Sequence, residues 1–181
     1  MFQVDPVKLY ISIIYREEPV RGEAKELMVR RWGKIDFESE LLPFNPSDKL
    51  AEEMGVPLFR TFVSFENLID PGQIGLVKIG CIGVEERLRH QGKRRINLDP
   101  GYIDSHKALI TSTHPGPAKV YLASGVYLDM ALLFPKGKCQ ALPWSLPEFK
   151  AQAYDETFLS LLSRYKTQLA VTKLASGPPK K

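Results

Sequence analysis

An α+β domain is the fold this sequence predicts: a ferredoxin-like double β-α-β sandwich enlarged by an antiparallel hairpin extension and a C-terminal helix. Three observations carry the expectation. Two strand-helix-strand patterns follow one another between Val7 and Leu98, the tandem arrangement of a split β-α-β sandwich. Three further strand-like runs come next, the last two separated only by Ser124-Gly125, a two-residue hairpin turn. The chain then closes on an amphipathic segment marked by Phe158, Leu162, Tyr165 and Leu169.

The first strand runs from Val7 to Tyr15, where Leu9, Ile11 and Ile13 alternate with Lys8, Tyr10 and Ser12 at a period of two. Val20, Ala24, Leu27, Met28 and Arg31 keep helical spacing, and Gly33 is placed to stop that helix. Ile35, Phe37 and Leu41 then alternate with Asp36, Glu38 and Glu40, a strand with one dry and one acidic face. A short helix is expected from Asn45-Pro46-Ser47-Asp48 to Gly55, and an aromatic-rich strand from Pro57 to Phe65. Asp70 is an N-cap with Pro71 at the first helical position, and Ile74, Val77, Cys81, Val84 and Leu88 form one apolar stripe after it. The next strand falls near Arg95 to Leu98, and Asp99-Pro100-Gly101-Tyr102 is expected to be a type II turn with Gly101 at positive φ. Lys107 to Thr113, Lys119 to Ala123 and Val126 to Phe134 are the later strands, and Ser145-Leu146-Pro147-Glu148 has the form of a capping box.

Composition sets limits on function. The chain has 181 residues, enough for one core without staples, so residues 1–175 are expected to form a single α+β domain and 176–181 a flexible tail. Two cysteines, Cys81 and Cys139, are too few for a disulfide framework and lack a C-x-x-C partner, which points to a reducing cytoplasm. The N-terminus has no signal-peptide pattern, and no apolar run approaches a membrane span. With 25 Lys and Arg against 21 Asp and Glu, the net charge of +4 is too mild to imply a nucleic-acid partner by itself. Three scattered histidines define no metal site, and the sequence leaves the cofactor unknown.

Two candidate sites emerge. Arg87, Arg89, Lys93, Arg94 and Arg95 put five cations within nine residues at a helix end, where arginines complement the helix dipole or bind phosphate bidentately. A phosphate-bearing ligand, a nucleotide or RNA, would then meet Arg94, Arg95, Asn97 and Tyr102. The second site comes from hairpin register: a turn at Ser124-Gly125 sets Asp129 opposite Val120, on the same side as Leu133, a carboxylate on an apolar face. Asp129 or Asp99 would act there as acid or base beside Lys107 and Arg60. A structural reading stands beside each: a solvated helix end for the first, a buried ion pair for the second. Binding needs fewer assumptions about register.

Arg95-Ile96-Asn97-Leu98-Asp99-Pro100-Gly101-Tyr102, with Glu53-Met54-Gly55, Arg60-Thr61-Phe62-Val63-Ser64-Phe65-Glu66 and Pro143-Trp144-Ser145, resembles a bacterial and archaeal domain family of unknown function, from about Val7 to Leu169. The resemblance implies no established activity. Some members carry the label GTP-binding protein, yet this chain has no G-x-x-x-x-G-K-[ST] loop, and Gly72, Gly75, Gly80 and Gly83 lack phosphate-loop spacing.

Overall fold

The structure is a computed structural model and describes residues 4–175; the expected tail, 176–181, lies outside the described residues. In chain order the elements are β1 (Val7–Tyr15), α1 (Glu18–Trp32), β2 (Ile35–Glu38), α2 (Asp48–Met54), β3 (Phe59–Ile69), α3 (Ile74–Arg87), β4 (Ile96–Ile103), β5 (Lys107–Ser112), β6 (Val120–Ala123), β7 (Val126–Leu133), β8 (Gln140–Ala141), α4 (Pro147–Lys150) and α5 (Asp155–Ala175). The strands form one eight-stranded sheet in the order β2-β3-β1-β4-β5-β7-β6, with β8 also on β7. Every pairing is antiparallel. β1 and β2, joined through α1, have β3 between them, and β3 and β4, joined through α3, have β1 between them.

Helices cover both faces of the sheet, not one. All nine residues of β1 are buried. Leu9, Ile11 and Ile13 pack with Val20, Ala24 and Met28 of α1 and with Ile74, Val77 and Cys81 of α3. On the opposite face Tyr10 packs with Phe62 of β3, Tyr154, and Phe158, Leu162 and Tyr165 of α5. The polar side of the β1 alternation is therefore dry, because α5 lies over it and makes β1 a central strand. Each large apolar side chain buried this way contributes about 1.5–3 kcal/mol. A third cluster joins Ile14 to Met54 of α2 and Leu58.

Three local expectations are corrected. Asp99-Pro100-Gly101-Tyr102 is not a turn: β4 runs through it, Gly101 is not at positive φ, and the chain reverses at Asp104. There Asp104 Oδ1 accepts from the His106 and Lys107 amides at 2.7 and 2.9 Å, an Asx device. Gly101 is required for close approach, since a Cβ there would lie 2.1 Å from Leu109 O and 2.5 Å from the Tyr10 hydroxyl. Pro100 sits where β5 no longer pairs, and its carbonyl accepts from Thr111 Oγ1 at 2.7 Å.

The Ser124-Gly125 turn forms, with φ of 53° and 76°, but the register beyond it differs. A bulge between Tyr121 and Ala123 sets Val120 opposite Leu128 instead of Asp129. A second irregularity, between Met130 and Leu132, puts Leu133 opposite Lys107. Each extra residue reverses the side taken by the residues beyond it, so Asp129 shares its face with Ile110 and Leu132 and not with Val120 or Leu133. The capping box does not form: α4 begins after Leu146 with no side-chain cap, and Ser145 bonds elsewhere.

Candidate functional site

β4 forms the spine of a polar cluster. β5 pairs only with Gly101 to Ile103, so the preceding backbone of β4 has no strand on that side. Side chains of α3 complete it: Glu85 Oε1 accepts from the Leu98 amide at 2.6 Å, and Lys78 Nζ donates to the Leu98 carbonyl at 2.8 Å. Lys78 also donates to Asp99 Oδ1 at 2.8 Å, and Asn97 Nδ2 donates to Asp99 Oδ2 at 2.6 Å. Arg94 bridges outward, from Asn97 Oδ1 at 2.6 Å to Glu53 of α2 at 2.6 Å. Covering an edge with a buried ion pair satisfies the backbone and excludes a competing strand.

Charge states are set by this wiring. Burial alone would push the Asp99 carboxyl up, but the Lys78 ammonium and the hydrogen bonds from Lys78 and Asn97 hold it below the usual aspartate range, with Arg60 adding to the effect. Burial opposes the charge on Lys78, yet Asp99 and Glu85 raise it overall. Burial raises Glu85 against the pull of Lys78 and the Leu98 amide. Asp99 is therefore an ionised acceptor, and 24 % of its side chain is open to solvent.

Arg60 lies on the same sheet face. It is opposite Ile14 in the β3–β1 ladder, one row from the directly opposed residues Ser12 and Asp99. Its residue exposure is 5 %, its Nη1 donates to the Tyr154 hydroxyl at 3.0 Å, and its guanidinium carbon lies 4.1 Å from the Phe44 ring centre. Among the described residues no carboxylate forms a salt bridge with it. Arg60 Nε, Arg94 Nε and Ser12 Oγ are buried without a hydrogen-bond partner. An arginine cannot shed its proton, and buried polar groups in folded proteins almost always find partners. Three unpartnered atoms around one stretch of sheet make it the candidate site.

The basic segment is less available than its composition suggests. Arg94 pairs with Glu53, Arg95 with Glu17 at 2.8 Å, and Arg89 with Glu86 at 2.8 Å. Of the other candidates, Tyr102 packs on the opposite sheet face with the α1–α3 core. It lines a cleft of about 270 Å³ with Asp104, His106, Lys107 and Tyr165. Lys107 is paired with Asp104, so neither Lys107 nor Arg60 is bonded to Asp129. Asp129 is half-buried, Oδ1 lacks a partner, and burial raises its carboxyl against Lys119 and a backbone bond from Met130. The structure thus gathers Arg60, Arg94, Asn97 and Asp99, drawn from both candidate sets, and leaves Arg95, Tyr102, Lys107 and Asp129 outside.

Sequence reasoning missed Ser12, Lys78 and Glu85. Lys78 and Glu85 fall on the same helical stripe as Ile74, Val77, Cys81 and Val84, and two charges on an apolar stripe are a legible signal. Ser12 carried none, because its covered face comes from α5. The Pro143-Trp144-Ser145 motif completes the edge of β7 between β6 and β8. Trp144 Nε1 donates to Met130 O at 3.2 Å and Ser145 Oγ to Ala131 O at 2.6 Å.

Fold and site together define an α+β domain with an antiparallel sheet, helices on both faces and an arginine-aspartate cluster built on β1, β3 and β4. The chain belongs to a family described as a domain of unknown function (DUF4416), whose model matches residues 5–165. No curated protein and no solved structure matches it. No helix among the described residues is long and apolar enough to cross a membrane, and no group of three or more metal-ligating side chains occurs among them.

Proposed function

We propose that this domain binds a small phosphate-bearing ligand at the cluster of Arg60, Arg94, Asn97 and Asp99. The observation that carries the reading is Arg60, a buried guanidinium with no carboxylate partner among the described residues and a free Nε. An unpaired charge at such a site is expensive until an anion neutralises it, and a planar guanidinium suits phosphate. A nucleotide fits the reading better than RNA, because Arg89 and Arg95 of the surface segment already hold carboxylates. The order β2-β3-β1-β4 with helices α1 and α3 on one face supports a ferredoxin-like core, to which β5 to β8 and α5 are additions. Two free cysteines support a cytoplasmic location.

Calorimetric titration with inorganic phosphate and ATP tests the reading. Binding should vanish in Arg60→Gln, weaken in Arg94→Gln and survive Arg95→Ala. Wild-type protein that binds neither probe, or binding that depends on Arg95 and not Arg60, would return the site to a purely structural role. A second reading, a small enzyme, rests on Asp129, whose raised carboxyl and unpartnered Oδ1 suit a proton carrier. In that case Lys119 is the cation that acts on it.

A further inference from the structure

We infer that the ligand carries a hydroxyl beside its anionic group, making it a phosphorylated polyol, and that Ser12 and Asp99 take that hydroxyl. The inference rests on the phosphate reading above and adds the chemistry of the adjoining row of side chains. Ser12 and Asp99 face each other directly across β1 and β4, and directly opposed side chains start about 4.5–5.5 Å apart. Ser12 is 0 % exposed and its Oγ has no partner. A serine hydroxyl both donates and accepts.

Asp99 is ionised and held in place, with one hydrogen bond to each carboxylate oxygen, from Lys78 and from Asn97. Each oxygen keeps a further lone pair. A ligand hydroxyl needs one acceptor and welcomes one donor; it can give its proton to Asp99 and accept from Ser12. The anionic group cannot occupy the same spot, because Asp99 repels it. Arg60, diagonal to Ser12 across the β3–β1 pair, stands about 7–8 Å away at the backbone, within reach of a long side chain. A phosphate held by Arg60 would therefore lie beside the Ser12–Asp99 pair and not on it.

Glycerol 3-phosphate, n-propyl phosphate and inorganic phosphate separate recognition of the hydroxyl from recognition of the phosphate. By calorimetry the wild-type protein should bind glycerol 3-phosphate about tenfold more tightly than n-propyl phosphate, the worth of one hydrogen bond to a charged acceptor. Ser12→Ala should reduce that preference while leaving n-propyl phosphate affinity unchanged, and Asp99→Asn should reduce it as well. Equal wild-type affinity for the two esters overturns the hydroxyl inference and leaves the phosphate reading intact. Absence of binding to all three overturns both. The wild-type comparison requires no variant to fold.

Discussion

Gly101→Ala tests whether close packing is what β4 requires of its glycine. The added Cβ would lie 2.1 Å from Leu109 O, 2.5 Å from Tyr10 Cζ and 2.5 Å from Tyr10 Oη. Carbon and oxygen settle no closer than about 3.3 Å, so the β5 backbone must retreat by roughly 1 Å or Tyr10 must leave its place. Tyr10 is fully buried and donates to Leu109 O at 2.9 Å, so neither neighbour yields freely. Overpacking of this kind costs about 1–3 kcal/mol, and losing the tyrosine hydrogen bond adds about 1 kcal/mol. The expected destabilisation is therefore about 2–4 kcal/mol in urea denaturation with an unchanged m value. Gly125→Ala is the control with the opposite cause, since Gly125 has φ of 76° and nothing within 4 Å of its ideal Cβ. It should lose about 1 kcal/mol from backbone strain alone. If Gly101→Ala costs no more than Gly125→Ala, the close approach of Tyr10 and β5 is not what requires glycine.

The β4 cluster yields two further expected outcomes. Lys78→Met should destabilise by about 3–5 kcal/mol in the same assay, because it takes the Lys78 ammonium from the buried Glu85 and the partly buried Asp99 and leaves the Leu98 carbonyl without a donor. A loss below about 1 kcal/mol would show that the edge is satisfied some other way. The acid limb of the stability curve should also report Asp99. Its carboxyl is lower in the folded than in the unfolded chain, so its contribution is present above the ordinary aspartate value of 3.8 and disappears as pH falls through the folded value. Asp99→Asn should flatten that limb, whereas Glu85, raised by burial, loses its contribution as pH rises and works in the opposite sense. An acid limb unchanged by Asp99→Asn would contradict the wiring to Lys78.

Local periodicity was enough to place most elements. The alternation in β1, the helical stripe of α3 and the Ser124-Gly125 turn are decided by neighbours in sequence, so they were legible there. Three matters required the tertiary structure. Pro100-Gly101 carries a strong turn signal, but β1 on one side and Tyr10 above hold it extended, because a glycine that admits a tight contact looks like one that admits positive φ. Register in the β6–β7 hairpin depended on a bulge at Leu122, which no alternation of residue types announces and which moves Asp129 away from its expected neighbours. The cluster itself joins residues far apart in the chain: Ser12 from β1, Arg60 from β3, Lys78 from α3 and Asp99 from β4. The sequence alone put Arg60, Arg94, Asn97 and Asp99 among the candidates and passed over Ser12, Lys78 and Glu85. Which of them share a face, and which are left buried without partners, was decided by the sheet order and by α5 closing over the side of β1 that carries Lys8, Tyr10 and Ser12.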